Sequence, residues 1–233
     1  MNLLSILSDL FYPPRCPCCG KLKSDGQPCE TCEKGLTEQL LEKPLCKRCG
    51  NEKRLCQCGE YNPLFMGAAA VFFNDGTAKQ GIYGLKFRKR SFAASFFADK
   101  MSDKFLEVFP NVKPDVVCIV PTYKKDLIKR DYDQVDLLGK AVAKWLDIKY
   151  EPKLLEKTRR TKRQHSLPKS ERAANVKGAY KATSEINNKC VLLIDDIKTT
   201  GFTLNECSKQ LRLAGAKEVY CLTALISPNK SCK

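Results

Sequence analysis

The sequence lacks a long apolar run. No stretch of its 233 residues approaches the roughly 20 consecutive apolar residues of a transmembrane helix. The opening of the chain is also expected to make a poor secretory signal. The apolar opening, residues 1–11, has no basic start and no small-residue cleavage site, and Asp9 interrupts it. We therefore expect a cytoplasmic protein whose first residues form a short amphipathic helix that stops at Pro13 and Pro14.

Histidine is nearly absent, and acidic residues are outnumbered. The only histidine, His165, lies in a basic segment; a lone loop histidine is more often solvated than catalytic, so it is left out of the candidate site. Lysine and arginine number 41 against 26 aspartates and glutamates, a net charge of +15. This charge favours polyanionic partners, namely phosphorylated small molecules, nucleic acid or an anionic membrane surface, with plain solubility as the competing explanation. The positive net charge is also compatible with peripheral association with a membrane.

Cysteine, in contrast, is abundant, with 14 residues. Eight cysteines fall in four close pairs, three with C-x-x-C spacing and the last with C-x-C spacing: Cys16/Cys19, Cys29/Cys32, Cys46/Cys49 and Cys56/Cys58. In a cytosolic chain such clusters bind metal more often than they form disulfides. A C-x-x-C knuckle holds two thiolates at the separation that tetrahedral zinc needs.

Eight thiolates supply two closed four-cysteine sites, so the sequence predicts a double zinc ribbon with two structural zinc ions. We favour sequential pairing, in which the first two cysteine pairs share one ion and the last two share the other. Interleaved pairing and an iron–sulfur cluster are the alternatives. Cys18 has no assigned role.

The composition changes after Pro63, which divides the chain into residues 1–62, with the N-terminal helix and the ribbon, and residues 63–233. The second part alternates strand candidates with amphipathic helices, as is typical of an α/β fold with a parallel sheet flanked by helices. Strands are predicted over 65–73, 116–121, 191–194 and 218–226. Helices are expected through Ile82 and Leu85, over 92–108, and over 135–146 with Trp145 in the core. The basic segment 153–172 is expected to be a long mobile loop.

Residues 191–204 carry the most informative pattern. An apolar run is followed by Asp195 and Asp196, where the strand is expected to end, and then by hydroxyls and one glycine leading into a helix closed by Gly215. The N-terminus of a helix attracts phosphate through its backbone N–H groups and its dipole. The candidate substrate-binding residues of this loop are Lys198, Thr199, Thr200, Gly201, Phe202 and Thr203. The acids can accept from sugar hydroxyls or help hold Mg²⁺, so the pattern predicts a site for a phosphorylated ribose.

This segment closely resembles the phosphoribosyl-pyrophosphate (PRPP) signature of type I phosphoribosyltransferases, an apolar strand with two acids followed by Thr-Thr-Gly-x-Thr. The resemblance implies a phosphoribosyltransferase-like sheet that binds PRPP with Mg²⁺, with Asp195 and Asp196 as catalytic residues that engage the ribose. Pyrophosphate would be bound by Lys124, Arg130 and the basic segment. No residue stands out as a base-recognition group, so the sequence does not name the phosphoribosyl acceptor.

A zinc ribbon followed by a phosphoribosyltransferase-like domain is the layout of the ComF family of competence proteins, which the chain resembles over nearly its whole length. Three further segments are similar to that family: Gly84-Leu85-Lys86-Phe87, Arg130-Asp131-Tyr132-Asp133-Gln134, and Thr161-x-x-Gln164-x-x-Leu167 with Arg172, Asn175 and Gly178-Ala179-Tyr180. The resemblance implies a role in natural transformation, the uptake of single-stranded DNA across the bacterial inner membrane with a DNA helicase partner.

Two functions of different classes follow. As an enzyme, the protein transfers phosphoribosyl from PRPP to an unnamed acceptor, and a phosphoribosyltransferase of nucleotide metabolism is one version of this hypothesis. As an adaptor, it engages the helicase through its ribbon and single-stranded DNA through its basic surface, and it keeps the PRPP site as a sensor or relic. We rank the role in DNA uptake above either mechanism, and PRPP binding above catalysis.

Overall fold

The structure is a computed structural model that describes residues 13–56, 58, 62–128, 131–162 and 168–227. The helix expected over residues 1–11 lies outside this part of the chain, as do Arg130 and His165. The described strands are β1 (Gly67–Phe73), β2 (Val116–Ile119), β3 (Lys149–Tyr150), β4 (Leu155–Lys157), β5 (Tyr180–Ala182), β6 (Cys190–Lys198) and β7 (Glu218–Ile226). The described helices are α1 (Glu30–Glu38), α2 (Gly76–Phe87), α3 (Ala93–Val108), α4 (Lys124–Leu127), α5 (Gln134–Leu146), α6 (Lys169–Val176) and α7 (Phe202–Leu213).

Five strands form one parallel sheet in the order β1-β7-β6-β2-β3. The chain leaves β2 towards β3 on one side and leaves β6 towards β7 on the other. The connections therefore diverge between β2 and β6, and in open parallel sheets the crevice at such a point, at the carboxyl ends of the strands, is where ligands bind. The predicted α/β class with a parallel sheet is confirmed.

The central strand β6 begins with five buried residues, Cys190 to Ile194, as expected for a strand covered on both faces. Leu192 and Ile194 pack into the core formed with α2, α3 and α5. Val191 and Leu193 pack into the core formed with α7. The predicted end of this strand was too early, because β6 continues through both acids to Lys198, pairing with β7 as far as Ile226.

The basic segment predicted to be a loop carries regular structure. The pair β4 and β5 is antiparallel, with Lys157 opposite Tyr180, and α6 begins directly after Pro168. We call residues 155–182, where they are described, the flap. Strands of three residues are too short for an alternating pattern, so no periodicity in the sequence predicts them. The prediction of a structureless loop over 153–172 was therefore wrong in this part.

The predicted burial of Trp145 was also wrong, because 43% of this residue is exposed. The buried residues of α5 form a stripe that includes Leu138, Val142 and Ala143. Trp145 lies at the edge of that stripe, in the last turn of the helix. Among the described residues, no helix is long and apolar enough to cross a membrane.

The ribbon segment covers the free edge of the sheet, which β1 forms. Three backbone hydrogen bonds join the two: Leu41 N donates to Val71 O (3.3 Å), Ala68 N donates to Lys47 O (3.0 Å) and Phe73 N donates to Gln39 O (2.8 Å). Gly50 takes a φ of +77° after its cysteine knuckle, and a Cβ there would lie 3.0 Å from the carbonyl oxygen of Ala68. A residue with a side chain would therefore push the ribbon off the sheet edge.

Candidate functional site

The eight paired cysteines form two groups. Within each group, the Sγ atoms all lie within 4.8 Å of one another: Cys16, Cys19, Cys29 and Cys32 in the first group, and Cys46, Cys49, Cys56 and Cys58 in the second. This is the sequential arrangement favoured from the sequence. A tetrahedron with zinc–sulfur bonds of about 2.3 Å has edges of about 3.8 Å. The Sγ atoms are 3.8 Å apart for Cys19 and Cys29, and 3.7 Å apart for Cys49 and Cys56.

The surroundings of Cys16 favour the thiolate that binds metal. Burial opposes ionisation, but backbone N–H groups of Cys19, Cys29 and Cys18 outweigh it and lower the pKa of Cys16 to about 6. The N–H of Cys29 donates to Cys16 Sγ at 3.4 Å. Donor set, spacing and outer hydrogen bonds all fit structural zinc with no open coordination position.

Cys18 belongs to neither group. It is fully buried in the core that α2 and α3 form, its carbonyl accepts from Arg90 Nη1 at 2.8 Å, and burial raises the pKa of its thiol to about 12. Cys18 is therefore a core residue that ties the first zinc knuckle to the sheet domain.

A cleft of about 650 Å³ opens at the carboxyl ends of β2 and β6. Six of the predicted site residues line it: Asp195, Asp196, Lys198, Thr199, Gly201 and Thr203. Thr200 and Phe202 belong to the same loop and helix start but do not line the cleft. Lys124 is exposed at the start of α4 and is not part of the lining, and Arg130 lies outside the described residues.

The loop between β6 and α7 has the geometry expected of an anion site. Gly201 is the N-cap of α7 with a φ of +83°, a conformation that only glycine adopts easily, and no side chain caps the helix. Its first turn, at Thr203 and Leu204, lines the cleft. The Oγ1 atom of Thr200 is buried without a hydrogen-bond partner among the described residues.

The two acids have different partners. The Oδ2 atom of Asp196 accepts from Lys86 Nζ at 3.2 Å and from Gln134 Nε2 at 3.0 Å, which joins β6 to α2 and α5. Asp196 is only 6% exposed. Its carboxylate is therefore already engaged within the protein.

Asp195 lies towards the flap. Burial, and then the negative charge of Asp196, raise the pKa of Asp195 well above its ordinary value. Lys157 of β4 and Tyr180 of β5 also line this side of the cleft and interact electrostatically with Asp195. Burial lowers the pKa of the Lys157 ammonium. Among the described residues, Asp195 has no ion pair of the kind that Lys86 makes with Asp196.

The flap supplies further cations to the cleft, through Lys157, Arg160 and Lys162. Arg160 reaches Asp126 of α4 at 2.7 Å. The side chain of Asn175 holds the backbone of Lys162 from both sides, accepting from its N–H at 3.0 Å and donating to its carbonyl at 2.9 Å. Lys162, which lies beyond the end of β4, is therefore held in place by the side chain of Asn175 rather than by regular secondary structure.

The sequence does not single out Lys86, Gln134, Lys157 or Tyr180 as site residues, although Lys157 lies in the basic segment expected to bind pyrophosphate. Lys86 and Gln134 do lie in segments that resemble the ComF family, so a signal was present. Their partner Asp196 is 110 residues from Lys86 and 62 from Gln134, which local patterns do not connect. Nothing in the sequence distinguished Lys157 from its basic neighbours.

Comparison with known proteins agrees with both parts of the structure. Residues 7–62 match the double zinc ribbon domain family, and residues 137–232 match the phosphoribosyl transferase domain family. The chain is 26% identical over 204 residues to DNA utilization protein YhgH of Escherichia coli K12, covering 83% of this chain and 88% of that one.

Two relatives named as competence proteins match over shorter stretches. Competence protein F of Haemophilus influenzae is 36% identical over 109 residues, which cover 46% of this chain and about half (48%) of that protein. Competence protein ComFC of Streptococcus pneumoniae is 33% identical over 135 residues, covering 57% of this chain and 58% of that protein. A solved allosteric regulatory enzyme of purine biosynthesis aligns with 28% identity and a TM-score of 0.34, over 56% of this chain and 25% of that chain.

A phosphoribosyltransferase-like domain that carries a double zinc ribbon is the class of protein that this fold and these cysteine groups define. Within that class, the likeness to the ComF family is supported by the relatives that the chain matches, which are named competence proteins and DNA utilization protein.

Proposed function

We propose that the cleft binds PRPP or another phosphorylated ribose, and that the protein acts in DNA uptake. The observation that carries the ligand is the uncapped start of α7 at Gly201, which lines the same cleft as Asp195. The helix start can bind the phosphate of such a ligand, and Asp195 can bind its ribose.

Each part of the site has a role in this proposal. Thr199, Gly201 and Thr203 hold the 5′-phosphate through hydroxyls and backbone N–H groups, with Lys198 and Phe202 shaping the loop. Asp195 accepts from ribose hydroxyls. Asp196 positions the strand end through Lys86 and Gln134 rather than touching the sugar.

A magnesium ion fits beside Asp195. Magnesium is commonly held by one or two carboxylates together with substrate phosphates, and Asp195, which lines this cleft without an ion pair to a described residue, can supply one of them. When bound, the ion would offset the negative charge of a pyrophosphate group. Lys157, Arg160 and Lys162 of the flap are the cations available to the same group. Lys124 and Arg130 stay predictions.

The role in DNA uptake rests on the likeness to the ComF family and on the names of relatives, which are competence and DNA utilization proteins. Contact with single-stranded DNA and with a DNA helicase belongs to this proposal, and the net charge of +15 supports the first. Binding without turnover is the second candidate. It is favoured by the ion pair of Lys86 and Asp196, which leaves one of the two acids unavailable to a reacting sugar.

Calorimetric titration of PRPP with Mg²⁺ into zinc-loaded protein tests the proposal. We expect micromolar binding that weakens by at least about tenfold in Asp195→Asn, because a charge-assisted hydrogen bond is worth roughly 1.5–3 kcal/mol. Asp103→Asn, an exposed change on α3, is the matched control and should bind as the wild type does. Folded, zinc-loaded protein that binds neither PRPP nor ribose 5-phosphate would overturn the proposal. Pyrophosphate release on addition of an acceptor would separate turnover from binding alone.

A further inference from the structure

Helix α2 carries two exposed aromatic side chains that lie outside its buried stripe. Its buried stripe consists of Ala78, Gly81, Ile82, Gly84 and Leu85. Tyr83 and Phe87 lie four residues apart on the opposite side of the helix, 40% and 55% exposed. Their ring centroids are 5.5 Å apart with a tilt of 55°. Both residues line the cleft described above.

Two lysines accompany the rings. Lys79 Nζ lies 5.8 Å from the centroid of Tyr83, and Lys86 Nζ lies 5.8 Å from the centroid of Phe87. The same Lys86 Nζ is 3.2 Å from Oδ2 of Asp196. One ammonium group therefore connects the aromatic pair to the acids at the end of β6, which places the rings beside the position proposed for the ribose.

We propose that Tyr83 and Phe87 form a stacking surface for a nucleobase attached to, or about to be joined to, the ribose in the cleft. Exposed aromatic rings bind bases through their π-faces and tolerate different bases, since every base has such a face. The flanking lysines suit a ligand that also carries phosphate. This inference rests on the proposed function and deepens it, since it names a nucleobase as the chemical class that occupies the acceptor side of the site.

Ribose 5-phosphate and the four ribonucleoside 5′-monophosphates share sugar and phosphate and differ only in the base. We expect the monophosphates to bind about tenfold more tightly than ribose 5-phosphate to the zinc-loaded chain. The double variant Tyr83→Leu/Phe87→Leu should remove this gain and leave the affinity for ribose 5-phosphate unchanged. Leucine keeps an apolar side chain and has a higher helix propensity than either aromatic residue, so α2 should persist.

Phe92→Leu is the matched control, because Phe92 is a similarly exposed phenylalanine, 42% exposed, that does not line the cleft. It should bind all five compounds as the wild type does. A 5′-phosphorylated oligothymidylate added as competitor tells whether the stacked base can also belong to a DNA strand. Competition that depends on Tyr83 and Phe87 would show that the surface also binds the 5′ ends of DNA strands. If the oligothymidylate does not compete, the surface binds free bases and mononucleotides.

The outcomes separate the two proposals. Binding of ribose 5-phosphate with no gain from the base, or with a gain that survives in the double variant, would overturn the stacking surface alone. Failure of both PRPP and ribose 5-phosphate to bind would overturn the proposed function, and the stacking surface with it.

Discussion

At the scale of single residues, Asp195 and Asp196 are neighbours in sequence with different surroundings. Successive side chains of a strand point to opposite faces, so β6 directs one acid towards the flap and the other towards α2 and α5. Asp196 is held by Lys86 and Gln134. Asp195 has no such ion pair among the described residues, and burial, followed by the negative charge of Asp196, raises its pKa. The first acid is therefore suited to binding and the second to holding the site together.

The raised pKa of Asp195 leads to a prediction about stability and pH. Between the ordinary pKa of an aspartate and the raised pKa, the folded protein binds more protons than the unfolded chain, so the free energy of unfolding falls as the pH rises. We expect Asp195→Asn to be more stable than the wild type near neutral pH, with a gain that shrinks towards about pH 4. Chemical denaturation at several pH values measures this.

Asp196→Asn provides the comparison for that experiment. It removes an ion pair that is partly buried, so it should lower the free energy of unfolding near neutral pH by about 1 kcal/mol. If Asp195→Asn is the less stable of the two variants near neutral pH, the assignment of different roles to the two acids is wrong.

Thr200 leads to a second prediction at this scale. Its buried hydroxyl has no partner among the described residues, and an unsatisfied buried polar atom costs about 1–3 kcal/mol. Thr200→Val removes the hydroxyl at nearly constant shape. It should therefore keep or raise the melting temperature, because no hydrogen bond to a described residue is lost.

Thr223→Val is the control for stability. The hydroxyl of Thr223 is buried and donates to Leu225 O at 3.0 Å, so its loss should lower the free energy of unfolding by about 1 kcal/mol. Equal stability losses in the two valine variants would show that the hydroxyl of Thr200 does have a partner in the folded protein.

The sequence predicts local residue roles better than distant pairs. Thr199, Gly201 and Thr203 follow one strand within a few residues, so their place at the cleft could be predicted from the order of strand, loop and helix. The partners of Asp196 could not, because Lys86 comes from a helix early in the chain and reaches the site only through the packing of α2 on the sheet.

At the scale of elements, the flap depends on side-chain contacts rather than on a long sheet. β4 and β5 have three residues each, and Glu206 of α7 accepts from the backbone N–H of Gly178 at 3.0 Å. Arg159 donates to the carbonyls of Asn175 and Lys177 at 3.1 and 2.8 Å. Elements this short open more readily than the long strands of the sheet do.

Asn175→Ala tests this view of the flap. It removes both hydrogen bonds to the backbone of Lys162, so we expect faster amide hydrogen exchange in residues 158–162 and weaker binding of PRPP. The melting temperature should change little, since both of these hydrogen bonds are exposed to solvent. Lys177→Ala, an exposed change at the end of the same helix, should leave the exchange rates unaltered, and equal rates in both variants would contradict the role given to Asn175.

Elements were predictable where their apolar pattern is long. The helices over Ala93–Val108 and Gln134–Leu146 were expected within a residue of their ends, because a buried stripe recurs over three or more turns. Flap strands of three residues leave no period to detect. The exposure of Trp145 depends on what α5 packs against, which its own sequence does not contain.

At the scale of the whole molecule, the ribbon is continuous with the core of the sheet domain. Cys16, Cys18, Cys32 and Leu36 belong to the same buried cluster as the side chains of α2 and α3. Zinc at the first site therefore holds residues that the larger domain needs for its own packing.

Removal of zinc should consequently destabilise the entire chain. We expect Cys49→Ser, or a strong chelator, to lower the melting temperature of the single unfolding transition and to promote aggregation, because β1 would lose the segment that covers its free edge. Cys18→Ala should keep two zinc ions per chain by atomic emission, because Cys18 is not a ligand. A separate low-temperature transition confined to the ribbon would contradict this coupling.

The position of β1 also bears on synthesis of the protein. β1 is made early, yet its partner within the sheet is β7, which follows all the other described strands. During translation, β1 therefore remains without its sheet partner until most of the chain has been made. An unpaired strand can associate with other nascent chains during that time. The ribbon precedes β1 and bonds to its other edge. If the ribbon binds zinc during translation, it would cover this edge of β1 and protect the strand from aggregation until β7 has been made.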